Sequence, residues 1–154
     1  MTHQHTIVCA DGDAGYHALI DDEQRAELAR QGIRLVWHNG APASDAEWLA
    51  RIGDAEALLL LWTIPEAVMR ALPNLRAIAW VGTGVATFVN IPLANELGIV
   101  VSNTPGYGSE AVAEHALGVM LALARNTVAL DADVRAGRWP RDDLAGVELA
   151  GKVA

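Results

Sequence analysis

Two glycines flank a threonine in Val81-Gly82-Thr83-Gly84, and Asn103-Thr104-Pro105-Gly106-Tyr107-Gly108-Ser109 follows the next apolar run. Loops of this composition can hold a small anion. Glycine leaves no Cβ between a ligand and the peptide N–H groups, and Thr83 adds a hydroxyl. Asn103 adds an amide that can orient a loop or bind a carboxylate. Ser109 is placed to cap a long helix whose first N–H groups also point outward. The candidate ligand-binding residues are therefore Val81, Gly82, Thr83, Gly84 and Asn103. The competing reading is a tight turn in which the glycines serve backbone geometry alone; a position directly after a strand favours a ligand, because open parallel sheets bind beyond the carboxyl ends of their strands.

Other chemistry-bearing residues offer less. Glu114 and His115 are adjacent on a helix and point about 100° apart, so they cannot form a facing acid–base pair, and His115 reads as a packing or interface residue. His3, His5, His17 and His38 have no ligand spacing, and no metal site is expected. Cys9, the one cysteine, lies in an apolar run and reads as a buried structural thiol. Asp11-Gly12-Asp13 follows the first apolar run without the other residues of a magnesium or phosphate site, and reads as solvated turn residues. The five tryptophans have no regular spacing, but Trp62 and Trp80 close apolar runs and could border a strand-end cleft.

The elements that must position these residues alternate along the chain. Apolar runs at 6–10, 34–37, 57–62, 76–80 and 99–101 read as strands, with helical patterns at 17–31, 44–52, 65–71 and 91–97 between them. Such alternation indicates an α/β, doubly wound parallel sheet, and the unbroken run Ala57-Leu58-Leu59-Leu60-Leu61 suits a strand buried on both faces. Gly32 and Gly98 read as helix stops and Asn90 as a cap, continued by Ile91-Pro92. From 109 to 125 one long helix carries Val112, Ala116, Val119, Met120 and Leu123 on a stripe widened by Leu117 and Leu121. A second helix near 129–136 ends at Gly137, a loop begins at Trp139-Pro140, and 149–154 reads as the start of a strand.

At 154 residues and 52% hydrophobic content the chain can bury a core. A net charge of −8 with eleven scattered cations argues against nucleic acid as the partner. The first residues lack a signal peptide's basic and apolar regions, and the longest apolar run, 116–124, is too short for a bilayer, so a cytoplasmic location and no membrane partner are expected.

Leu72-Pro73-Asn74-Leu75-Arg76 leading to Val81-Gly82-Thr83-Gly84-Val85, then Gly98 through Gly106, then Ser109-Glu110-Ala111-Val112-Ala113-Glu114-His115-Ala116-Leu117 resembles the D-isomer-specific 2-hydroxyacid dehydrogenases. The run from Arg135-Ala136-Gly137-Arg138-Trp139 to Leu149-Ala150-Gly151-Lys152 is similar to the same family's approach to its dinucleotide fold, while 1–71 fits only in strand–helix pattern. The resemblance implies a flavodoxin-like substrate domain over 1–101. It also implies an interdomain helix and the first helices of an incomplete Rossmann domain over 102–154. It implies NAD or NADP as cofactor, a 2-hydroxy or 2-oxo acid as substrate, acid binding by backbone amides around 82–84 with Asn103 positioning the acid, and Thr83 near both substrate and nicotinamide. It places the 109–125 helix at a homodimer interface.

Two features depart from the family pattern. Ala86 and Asn90 stand where many relatives carry acidic residues and Leu61 where they often carry arginine; Asn90 can still cap a helix, but Ala86 and Leu61 each remove a charge near the cleft, which points to a different substrate class from phosphoglycerate-type relatives. The family's glycine fingerprint, substrate-polarising arginine and acid–base histidine with its glutamate are not found in 1–154, so no catalytic residue is assigned. The expectation is the N-terminal portion of an NAD(P)-dependent oxidoreductase, inactive alone, reducing acids such as glyoxylate or hydroxypyruvate. The alternative is a non-catalytic module that dimerises or binds a partner through the long helix.

Overall fold

A computed structural model describes residues 5–139 and 146–152. Pro140, the residues of the signal-peptide reading at 1–4, and the end of the expected strand, Val153-Ala154, lie outside the described residues; 149–152 contains a turn rather than a strand. The chain divides into two compact units, 1–106 and 107–154.

The first unit holds five parallel strands in the order β2-β1-β3-β4-β5. They are β1 (His5–Gly12), β2 (Ile33–Asn39), β3 (Ala57–Leu60), β4 (Ala77–Trp80) and β5 (Val100–Ser102). The expected strands are all present. Parallel neighbours require crossovers, and these are supplied by α1 (Ala14–Ala18), α2 (Asp22–Arg30), α3 (Asp45–Ile52), α4 (Glu66–Arg70) and α5 (Ile91–Glu96). Strand order reverses direction at β1, so β1 and β3 exit beside each other at a topological switch point.

Helix starts follow local chemistry. The single helix expected at 17–31 is two, because Asp13 accepts from Gly15 N–H at 2.7 Å to start α1 and Asp21 forms a reciprocal capping box with Gln24 to start α2. Ser44 caps α3, and Asn90 caps α5 by accepting from Leu93 N–H at 3.0 Å.

One face of the sheet makes the core. Val8, Leu58, Leu60 and Ile78 pack there against Trp48 and Ile52 of α3, Val68 and Met69 of α4, and Leu93 and Ala94 of α5. The other face is less covered: in β3, Leu58 and Leu60 are buried whereas Ala57 and Leu59 are half-buried. Burial of β3 on both faces is therefore corrected to one. The partly open face, with Ile7, Leu35, Leu59 and Ala79 beneath Ile20 and Leu28, borders a hollow of about 830 Å³.

The second unit carries α6 (Ser109–Ala124) and α7 (Thr127–Arg135), joined through Asn126 in a left-handed conformation at φ 51°. The N-cap of α6 is Gly108, not the expected Ser109, and no side chain bonds the helix start. Gly137, at φ 75°, follows α7. Among the described residues no helix is long and apolar enough to cross a membrane.

Candidate functional site

β4 delivers Val81-Gly82-Thr83-Gly84 at its carboxyl end, and β5 delivers Asn103 and Thr104 beside it. The two loops are tied together. Thr104 N–H and its Oγ1 both donate to the Gly82 carbonyl, at 2.9 and 3.1 Å, and Asn103 Nδ2 donates to the Thr83 carbonyl at 2.6 Å. Asn103 thus orients the loop through its amide nitrogen, leaving the amide oxygen as an acceptor at an exposed position.

The four residues of the loop divide into inner and outer pairs. Val81 N–H donates to the Leu60 carbonyl at 2.9 Å and Gly82 N–H to the Trp80 carbonyl at 3.0 Å, so both donors are used inside the fold. Gly82 is buried, and a Cβ there would fall onto the Trp80 indole ring. Its missing side chain therefore serves packing. Thr83 and Gly84 are exposed, their N–H groups make no hydrogen bond among the described residues, and a Cβ on Gly84 would meet open space. Two N–H groups without a partner among the described residues, a hydroxyl and a nearby amide can receive a carboxylate.

The neighbouring strand exits are rigid. Asp11, at the carboxyl end of β1, is 1% exposed rather than solvated as its turn-like sequence suggested. Its carboxylate accepts from Trp62 N–H at 2.8 Å and from Leu61 N–H at 3.2 Å. Burial raises the Asp11 pKa from 3.8, and the two backbone N–H groups oppose the rise. Cys9 is fully buried as expected, and burial followed by the Asp11 charge pushes its thiol up to about 12. Trp80 Nε1 donates to the Trp62 carbonyl at 3.1 Å, and Phe88 stacks on the Trp80 ring at 4.5 Å. Trp80 is buried, but Trp62 remains 58% exposed at the end of β3.

Sequence reasoning missed Asp11. Its available signal was a carboxylate leaving a central strand with apolar flanks, where the next strand's terminal N–H groups need an acceptor. No group of three or more metal-ligating side chains occurs among the described residues. His115 lies exposed on α6.

The sequence matches the family of D-isomer specific 2-hydroxyacid dehydrogenases, catalytic domain, over residues 15–148. The chain belongs to this family. It is 41% identical over 145 residues to a glyoxylate reductase of Thermofilum pendens, covering 89% of this chain and 42% of the relative. To a D-3-phosphoglycerate dehydrogenase of Archaeoglobus fulgidus it is 42% identical over 137 residues, covering 88% of this chain and 25% of the relative. The chain thus spans less than half the length of these curated relatives. Among solved structures, an NADPH-dependent glyoxylate/hydroxypyruvate reductase of Sinorhizobium meliloti, in complex with NADP and malonate, aligns with a TM-score of 0.72 and 26% identity over 97% of this chain and 44% of that one. A Thermus thermophilus protein aligns with a TM-score of 0.71 and 30% identity over 96% of this chain and 46% of its own. The 2-hydroxyacid dehydrogenase fold thus agrees with the α/β architecture expected from the strand–helix alternation, and structural neighbours in the family carry bound NAD or NADP.

Proposed function

We propose that this chain supplies the acid-binding part of an NAD(P)-dependent oxidoreductase that acts on the CH–OH group of D-2-hydroxy acids, or in reverse reduces 2-oxo acids such as glyoxylate or hydroxypyruvate. The observation that carries this reading is the pair of exposed N–H groups on Thr83 and Gly84, in a loop clamped from β5 by Asn103 and Thr104. Val81 and Gly82 belong to the site as its anchored stem. The substrate carboxylate accepts from the Thr83 and Gly84 N–H groups, and the Asn103 amide sets the loop's aim. Preorganised donors of this kind avoid the cost of ordering a loop when ligand arrives.

The cofactor, NAD or NADP, supplies or takes the hydride. Of the residues in the first unit, Thr83 is assigned to it, because it is an exposed hydroxyl-bearing residue within the acid loop. Hydride transfer also needs a proton donor near the substrate oxygen. His5 is bonded to Glu56 at the strands' amino ends and His17 faces Arg25, so neither is assigned that role. With no proton donor assigned in it, the 154-residue polypeptide is proposed to bind acid without turning it over. A cytoplasmic location fits this metabolic reading.

Titration of the isotopically labelled chain with oxamate, a non-reducible 2-oxo acid analogue, tests the assignment. The Thr83 and Gly84 amide resonances shift, and Asn103→Ala weakens binding by about threefold to tenfold, the equivalent of one hydrogen bond. Shifts that avoid 81–84 altogether overturn it.

A second reading is favoured by one observation: Val112, Leu117, Leu121 and Leu123 of α6 are more than half exposed. In that reading the chain is a non-catalytic dimerisation or partner-binding module derived from the family.

A further inference from the structure

Trp62 combines an exposed indole with a backbone held on both sides. Its N–H donates to the buried Asp11 carboxylate and its carbonyl accepts from Trp80 Nε1. The Trp80 ring in turn occupies the space that a Cβ on Gly82 would need. One indole therefore separates the Trp62 backbone from the stem of the acid loop. An exposed large aromatic on such a fixed mount presents apolar area with little ordering cost, which is the usual property of a recognition surface.

The charges around it are equally informative. The first unit contains no lysine, and each of its six arginines is engaged: Arg25 with Ile20 and His17, Arg30 with Glu27, Arg34 with Thr6, Arg51 with Ala10, Gly40 and Glu47, Arg70 with Glu96, and Arg76 with Pro73 and Leu75. Leu61 beside Trp62 is apolar and buried. The hollow that begins one residue after Trp62 in the chain, about 380 Å³ and bounded by Thr63, Ile64 and residues 86–92, has Glu66 in its lining, and the Glu66 carboxylate accepts from Asn90 Nδ2 at 2.7 Å. A second anionic group on a substrate would meet a carboxylate there and no uncommitted cation.

We propose that Trp62, mounted on Asp11, forms the wall that receives the substrate's side chain and selects 2-oxo acids with an uncharged, apolar substituent over phosphorylated or carboxylated ones. This rests on the acid-binding reading of Thr83 and Gly84 and narrows its substrate class. Asp11 acts as a positioning residue: it fixes the backbone from which the indole projects and touches no substrate.

The test compares three acids against the labelled chain: pyruvate, 4-methyl-2-oxopentanoate and 2-oxoglutarate. The branched apolar acid binds roughly tenfold tighter than 2-oxoglutarate, the scale of discrimination that an apolar pocket supplies. Trp62→Ala lowers the affinity for 4-methyl-2-oxopentanoate more than that for pyruvate, collapsing their ratio, whereas Trp62→Phe keeps most of it. Asp11→Asn lowers the same ratio with the indole still present; if that variant does not fold, the Ala and Phe pair decides. If pyruvate shifts the Thr83 and Gly84 amides but Trp62→Ala leaves the ratio unchanged, the wall is refuted and the acid site stands. If no acid shifts those amides, both fall.

Discussion

Asp11 shows how one residue can hold several others. Its carboxylate is buried at the exit of β1, where it satisfies the N–H groups of Leu61 and Trp62 that β4 does not reach. Burial makes its ionisation harder in the folded chain than in the unfolded one. The unfolded state therefore loses this proton first as pH rises. Its contribution to stability is full below 3.8, declines as pH climbs from there through the raised folded value, and stays low above it. Asp11→Asn removes this decline. Urea unfolding of both proteins from pH 3.5 to pH 7 should show the wild type losing stability relative to the variant across that window; parallel curves would contradict a raised pKa. The sequence did not reveal this, because Asp-Gly-Asp after a strand has the composition of a solvated turn, and only the neighbouring strand's unpaired N–H groups make the first aspartate an interior acceptor.

At the scale of the element, the β4 exit was legible and its internal division was not. Alternating apolar runs, with Asn90 and Gly98 bounding α5, place all five strands because each signal is local. Which glycine serves a ligand and which serves packing depends on where the Trp80 ring lies, and that is a tertiary fact. It has a measurable consequence. Gly82→Ala forces a methyl into the Trp80 indole and should cost about 1–3 kcal/mol, the usual range for overpacking. Gly84→Ala has open space and a φ of −100°, so stability should be unchanged or rise by up to about 1 kcal/mol. Denaturant midpoints measured side by side check the contrast, and equal losses at both positions would show that the loop, rather than the ring, sets the demand for glycine. The helix expected at 17–31 is divided because the Asp21–Gln24 box starts a new helix within it, a stop and restart that a continuous helical pattern does not show.

For the whole molecule, the distribution of apolar surface is the remaining argument. The first unit buries Leu58, Leu60, Met69, Leu75 and Ile78 almost completely, whereas no residue of α6 or α7 is buried. Apolar side chains exposed over so much of one helix are the expected feature of a helix that packs against another surface, the role proposed above for α6. The periodicity of 109–125 announced this stripe, though a stripe alone cannot name what it meets. The homodimer implied by family resemblance supplies a definite expectation, since one self-complementary face generates a closed two-fold pair. Val112 and Leu123 are exposed at 68% and 73%, and neither lies near the acid loop in sequence or within its unit. Replacing both by glutamate places charge in the proposed interface without touching 81–84 or Asn103. Sedimentation of the wild-type chain across a concentration series should show a dimer, and the doubly substituted chain a monomer that still binds oxamate. A wild type that stays monomeric at every concentration overturns the homodimer through α6. A variant that remains dimeric also overturns it, by placing the interface on some other surface.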